Sequence, residues 1–154
     1  MSAFLHLDTF MTVSLFARAI SLLSKREYSE HELRKKLAPY STDDPALLEE
    51  VIQRLKEHHW QSDKRFINDY ITNKSTRWGT RKILYELEKH QIDDETLSEL
   101  KETLKETEFE RAYEVWKKKF KDTLPETPQE WAKQARFLAS RGFSQDVIIK
   151  ILKP

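Results

Sequence analysis

Apolar positions recur along this chain at helical spacing, broken at intervals by residues that start and stop helices. Leu15, Phe16, Ala19, Ile20, Leu22 and Leu23 repeat with a period near 3.6 and predict a first helix. In "SEHELRKKL", Ser29 and Glu32 have capping-box spacing and Leu33 and Leu37 lie one turn apart, so a short second helix runs to the neighbourhood of Pro39. Asp44 then caps a third helix with Pro45 in its first position, and Leu47, Leu48, Val51, Ile52 and Leu55 share one face.

The same order returns twice. Ser62 precedes a helix bearing Phe66, Ile67, Tyr70 and Ile71, "GTRKILYEL" supplies another, and Asp93 caps one with Leu97, Leu100 and Leu104. Phe109, Ala112, Tyr113, Trp116 and Phe120 then form a face, Thr127, Pro128 and Glu130 set up a second capping box, and Ser144 opens a last helix with Val147, Ile148 and Ile151. Leu37, Leu87 and Leu138 hold equivalent places, as do Leu55, Leu104 and Leu152, giving a period near fifty residues. A period of that size with three helices in each turn of the pattern is the mark of a helical array whose units bury their faces on one another. The expected fold is all-α: three tandem three-helix repeats over 14–60, 61–107 and 108–154, stacked into an elongated, curved array, behind an N-terminal arm over 1–13.

Composition agrees with the pattern. Of 154 residues, 34% are charged, and two glycines and five prolines are the only strong punctuation, which suits helices with solvated faces better than turn-rich sheet. Gly142, in "FLASRGFSQDVI", is placed to end one helix in the left-handed conformation before Ser144 caps the next. The absence of cysteine excludes disulfides, thiolate metal sites and a cysteine nucleophile. The opening "MSAFLHLDTFMTVSLFARAISLL" is apolar, but it has no basic leading region and carries Asp8 and Arg18, so it does not read as a signal peptide, and no apolar run reaches membrane-spanning length. A soluble, cytoplasmic protein is expected. Translation from Met11 is an alternative that N-terminal mass analysis would settle.

Three strings carry a resemblance: "KREYSEHELRKKL", then "WQSDKRFINDYI" followed by "GTRKILYEL", then "FLASRGFSQDVI". In this order and register they resemble the RecX family of bacterial regulators of the RecA recombinase, over about residues 14–154. The resemblance implies three tandem three-helix repeats that bind along the groove of the RecA filament on DNA and inhibit its ATPase and strand exchange, in recombination, DNA repair and the SOS response. Two departures from the family's pattern stand out. Gln61 and Ser62 replace a Leu-Asn pair, and His90 or Gln91 stands where a glycine is common, so a polar residue must take a left-handed turn there.

Other chemistry finds little support. His58 and His59 are adjacent and point about 100° apart on a helix, while His6, His31 and His90 stand alone, so neither a metal site nor acid–base catalysis is expected. Glu99, Glu102 and Glu106 share a face but are interleaved with Lys101 and Lys105 as on a solvated helix. Two glycines so far apart allow no phosphate-binding loop. The expectation is a non-enzyme without a cofactor. Trp116 and Trp131 are expected in a core, and Trp60 and Trp78, at junctions, are also favoured as packing residues.

Charge is segregated even though the net is +1. Seven basic face four acidic residues over 61–90, two face eight over 91–110, and five face one over 111–121. The candidate partner-binding residues for the RecA filament or DNA are therefore cationic: Arg34, Lys35, Lys36, Arg65, Lys74, Arg77, Arg81, Lys82, Arg136 and Arg141, with Lys117, Lys118, Lys119 and Lys121 beside them. If equivalent helices line one side, these charges form an interrupted basic strip, and Gly79 could leave helix N–H groups open to an anion. Scattered solubilising charge is the competing reading. The leading expectation is a monomeric regulator of the RecA filament with weak direct contact to DNA and none to membrane. The alternative is a direct nucleic-acid-binding module built from three-helix units.

Overall fold

A computed structural model of the protein describes residues 14–153, and the arm expected over 1–13 lies outside them. Among the described residues there are nine α-helices and no strand. They are α1 (14–23), α2 (Glu30–Leu37), α3 (Pro45–Glu57), α4 (Asp63–Lys74), α5 (Thr80–Lys89), α6 (Asp94–Glu106), α7 (Glu108–Phe120), α8 (Pro128–Ser140) and α9 (Gln145–Leu152). A 3-10 turn, Ala38–Tyr40, follows α2 at Pro39.

The caps explain the boundaries. Ser29 Oγ accepts from the Glu32 N–H at 3.1 Å while the Glu32 carboxylate accepts from the Ser29 N–H at 3.3 Å, a complete capping box. Asp44, Ser62, Asp93 and Ser144 each accept an N–H three residues on, at 3.2, 3.2, 2.8 and 3.3 Å. The box expected at α8 is only half formed. Thr127 accepts from the Glu130 N–H at 3.1 Å, but the Glu130 carboxylate takes the N–H of Glu126 at 2.7 Å instead of that of Thr127, satisfying a donor one residue further upstream.

The chain divides into two compact units, residues 1–69 and 70–154, with the boundary inside α4. In the first, Leu15, Ala19, Tyr28, Leu33, Leu37, Leu47, Val51, Ile52 and Leu55 make one core, drawn from the apolar faces of α1, α2 and α3. In the second, Ala112, Trp116, Leu138, Phe143, Ile148, Ile151 and Leu152 join α7, α8 and α9. Trp116 is buried as expected, and its indole N–H donates at 2.7 Å to Gln134, whose amide donates in turn to the Thr123 carbonyl at 3.0 Å, so this polar pair is satisfied inside the core. Trp131 is not core: 39% of it is exposed. Its helical spacing is right, but it sits in the first turn of α8, and the apolar cluster begins one turn later, at Ala135.

The two glycines meet each other. Gly142 has φ +91° at the α8–α9 junction, the left-handed stop its position predicted. Gly79, at the start of α5, has an ordinary φ of −77° and is glycine for a different reason: a Cβ there would overlap the carbonyl oxygen of Gly142 and lie 2.5 Å from the Phe143 nitrogen. The reciprocal Cβ on Gly142 would overlap Lys82, 2.6 Å from its backbone nitrogen. The junction is sealed by hydrogen bonds from the Gly79 N–H to the Arg141 carbonyl at 2.7 Å and from the Arg81 N–H to the Gly142 carbonyl at 3.2 Å. The turn after α5 falls on Gln91, with φ 57°, so the polar replacement for a glycine does adopt the left-handed conformation.

Candidate partner-binding surface

In residues 1–69, two of the four candidate cations are engaged within the fold. The Arg34 guanidinium forks onto Glu49 at 2.8 and 2.9 Å and also donates to Glu30 at 3.1 Å, which ties α2 to α3. Arg65 donates to Glu27 at 3.1 Å and to the carbonyls of His59 and Trp60 at 2.6 and 3.0 Å, holding the left-handed turn at His59. Lys35 and Lys36 are exposed on α2 and form no ion pair among the described residues. Trp60, expected to pack, is 45% exposed and rests on Phe16 and on the imidazole of His58, with ring centroids 5.2 and 5.0 Å away. It follows the last turn of α3, at the rim of the core.

The Arg34 cluster gives a pH prediction. Burial pushes the Glu30 carboxyl up, but hydrogen bonds from Lys56 and Arg34 overcome that and leave its pKa below the ordinary 4.5. A lowered folded-state pKa contributes stability above the unfolded-state value and loses it as pH falls through the folded-state one. The urea midpoint for unfolding residues 1–69 within the intact protein is expected to drop as pH goes below about 4.5, and Glu30→Gln to flatten that drop.

The candidates in residues 70–154 are arranged differently, on aromatic rings. Lys74 and Lys82 both lie over the indole of Trp78, with Nζ 4.7 and 4.3 Å from the centroid. Trp78 is half-buried by this stacking and by an edge contact from Tyr70, so it packs against cations rather than entering a core. Arg141 and Lys119 lie over Phe137 at 5.0 and 5.5 Å. The Arg141–Gly79 hydrogen bond joins the end of α8 to the start of α5, next to Trp78 in the chain. A cavity of about 690 Å³ opens there, lined among others by Arg77, Lys118, Lys119, Arg141 and Phe137. Arg136 is exposed on α8 and is not part of this lining, and Arg81 faces a different cavity, of about 710 Å³, with Tyr85 and Asp94.

The open anion site suggested at Gly79 is not there. Besides the two bonds that seal the glycine junction, the Thr80 N–H donates to the buried Glu108 carboxylate at 3.1 Å, so the chain itself occupies the start of α5. Arg111, which the sequence did not single out, holds the same region. It donates to the carbonyls of Ser75, Trp78 and Leu104 at 3.1, 2.7 and 3.0 Å and to the Thr80 hydroxyl at 3.2 Å. Burial lowers its pKa from the ordinary value, opposed by the charge of Glu108. Its only sequence signal is its place one turn after Thr107 and Glu108, among the carboxylates that begin α7. Among the described residues no group of three or more His, Asp or Glu could hold a metal ion, and no described helix is long and apolar enough to cross a membrane.

Residues 106–152 match the family description "RecX, third three-helix domain". A regulatory protein RecX of Ralstonia nicotianae is 38% identical over 143 residues, spanning 92% of this chain and 87% of the relative. The chain belongs to the RecX family. The RecX protein of Chromobacterium violaceum is 40% identical over 139 residues, spanning 90% of this chain and 89% of its own length. A crystal structure of RecX from Lactobacillus salivarius has the same fold, with a TM-score of 0.76 over 94% of this chain and 96% of that one at 20% identity. RecX proteins are named as regulatory proteins, not as enzymes, and the all-helical fold expected of the family is present here.

Proposed function

We propose that this RecX protein regulates the RecA recombinase by binding the RecA filament on DNA and restraining its ATPase, extension and strand exchange. In this reading it acts in the bacterial cytoplasm, in recombination, DNA repair and the SOS response, as a monomer without a cofactor and without catalysis of its own. Three tandem three-helix units, 14–60, 61–107 and 108–154, give one chain several related surfaces for a partner that is itself a repeat. The observation that carries the reading is family membership over nine-tenths of the chain. The arrangement of the basic residues supports it, because Lys74, Lys82, Lys119 and Arg141 are held on Trp78 and Phe137 rather than neutralised by carboxylates. Arg77, Arg81 and Arg136 are further exposed cations in residues 70–154 and Lys35 and Lys36 are exposed in residues 1–69, whereas Arg34 and Arg65 serve chiefly to shape the surface around them.

The test is the ATPase rate of the cognate RecA on single-stranded DNA, titrated with this protein beside a DNA-only binding control. The rate is expected to fall at substoichiometric ratios, with much weaker affinity for bare DNA. An unchanged rate together with tight, steeply salt-dependent binding to bare DNA would instead establish a nucleic-acid-binding module.

A further inference from the structure

The cavity between α7 and the end of α8 shares Arg77, Lys119 and Arg141 with the proposed partner-binding surface, but it is a concave site as well as a charged one. Its volume of about 690 Å³ is that of a small-molecule site. Five cations line it, Arg77, Lys117, Lys118, Lys119 and Arg141, against one carboxylate, Glu114. None of these six groups forms an ion pair among the described residues. Glu114 and Lys118 are one helical turn apart and still unpaired, so both remain available to a ligand. Arg141 and Lys119 are held over the Phe137 ring, which restrains two long side chains at the cavity and lowers the entropy lost when they close on an anion. Val115 and Phe137 add an apolar patch to the lining.

We infer that this cavity binds a nucleoside polyphosphate, independently of the filament. The cations take the phosphates, with the guanidinium groups of Arg77 and Arg141 suited to bidentate contact. Val115 and the part of Phe137 left in the lining give the less polar part of the ligand an apolar contact. Glu114 is the discriminating group. It repels bare phosphate chains and the backbone of a nucleic acid, but it can accept a hydrogen bond from a ribose hydroxyl or an exocyclic amine. Two glycines so far apart make no glycine-rich loop, so the phosphates are held by side chains.

Isothermal titration of the full-length protein with ATP, without RecA or DNA, tests this. One-to-one saturable binding is expected at sub-millimolar concentration. Tripolyphosphate should bind about tenfold more weakly, and Glu114→Gln should narrow that gap by strengthening tripolyphosphate more than ATP. Lys118→Glu, at an exposed position, should weaken ATP about tenfold with unchanged far-ultraviolet circular dichroism, and Arg141→Glu should do the same wherever the variant stays folded. Absence of saturable binding, equal affinity for tripolyphosphate, or indifference to Lys118→Glu would overturn the inference. So would displacement of ATP by a short oligothymidylate at lower concentration than ATP itself, which would make this a strand-binding groove.

Discussion

Gly142→Ala is expected to destabilise the protein by about 3 kcal/mol, the sum of a left-handed backbone forced on an alanine and a methyl group driven into Lys82. In a unit of this size that is a fall of about 12 to 24 °C in the melting temperature of the transition that unfolds residues 70–154. Gly79→Ala separates the two causes. Gly79 has a φ that alanine can adopt, so no left-handed penalty arises there, and the loss comes mainly from crowding the Gly142 carbonyl and Phe143 nitrogen, with a smaller part from alanine's poorer N-cap. A loss of about 2 kcal/mol is expected, read by urea unfolding with far-ultraviolet circular dichroism. A Gly79→Ala protein as stable as the parent would mean that the two glycine backbones are not in contact.

The second large effect belongs to Arg111. Arg111→Ala removes the guanidinium donor from the carbonyls of Ser75, Trp78 and Leu104, of which Leu104 keeps only the longer bond from the Thr107 hydroxyl, and takes the counter-charge from beside Glu108, and should cost about 3 to 4 kcal/mol. Lysine cannot replace the fork that reaches three carbonyls and the hydroxyls of Thr80 and Thr107 at once, so Arg111→Lys should recover less than half of that loss. The effect also reaches the candidate surface. Residues 75–79 carry Arg77 and Trp78, and amide hydrogen exchange at Gly79 in the lysine variant should rise well before global unfolding, because the local fixings are what was removed. If exchange there is unchanged, Arg111 holds the helices but not the loop.

Much of the fold could be read from residues with local consequences. Ser29, Asp44, Asp93, Thr127 and Ser144 cap the helices they were expected to cap, because an N-cap needs only its own side chain and an N–H three residues away. Gly142 was legible for the same reason. Gly79 was not: its requirement comes from a backbone more than sixty residues on, which no local pattern contains. Trp131 shows the limit of periodicity, which assigns a residue to a face but not to the part of the face that is covered. The basic residues show a second limit. Their presence was plain, but Arg34 among glutamates and Lys74 on an indole have the same one-letter signature of exposed charge, and only the three-dimensional neighbours distinguish a structural cation from an available one.

That distinction makes ionic strength act on two separate dials. In residues 1–69, Arg34 and Arg65 are bound to glutamates at partly exposed sites, so added salt should loosen the fold itself by shielding attractions the helices rely on. In residues 70–154, Lys74, Lys82, Lys119 and Arg141 have aromatic rings for neighbours, and shielding them leaves the packing intact while dimming the surface to any anion outside. Salt thus weakens one part of the molecule from within and blinds the other from without.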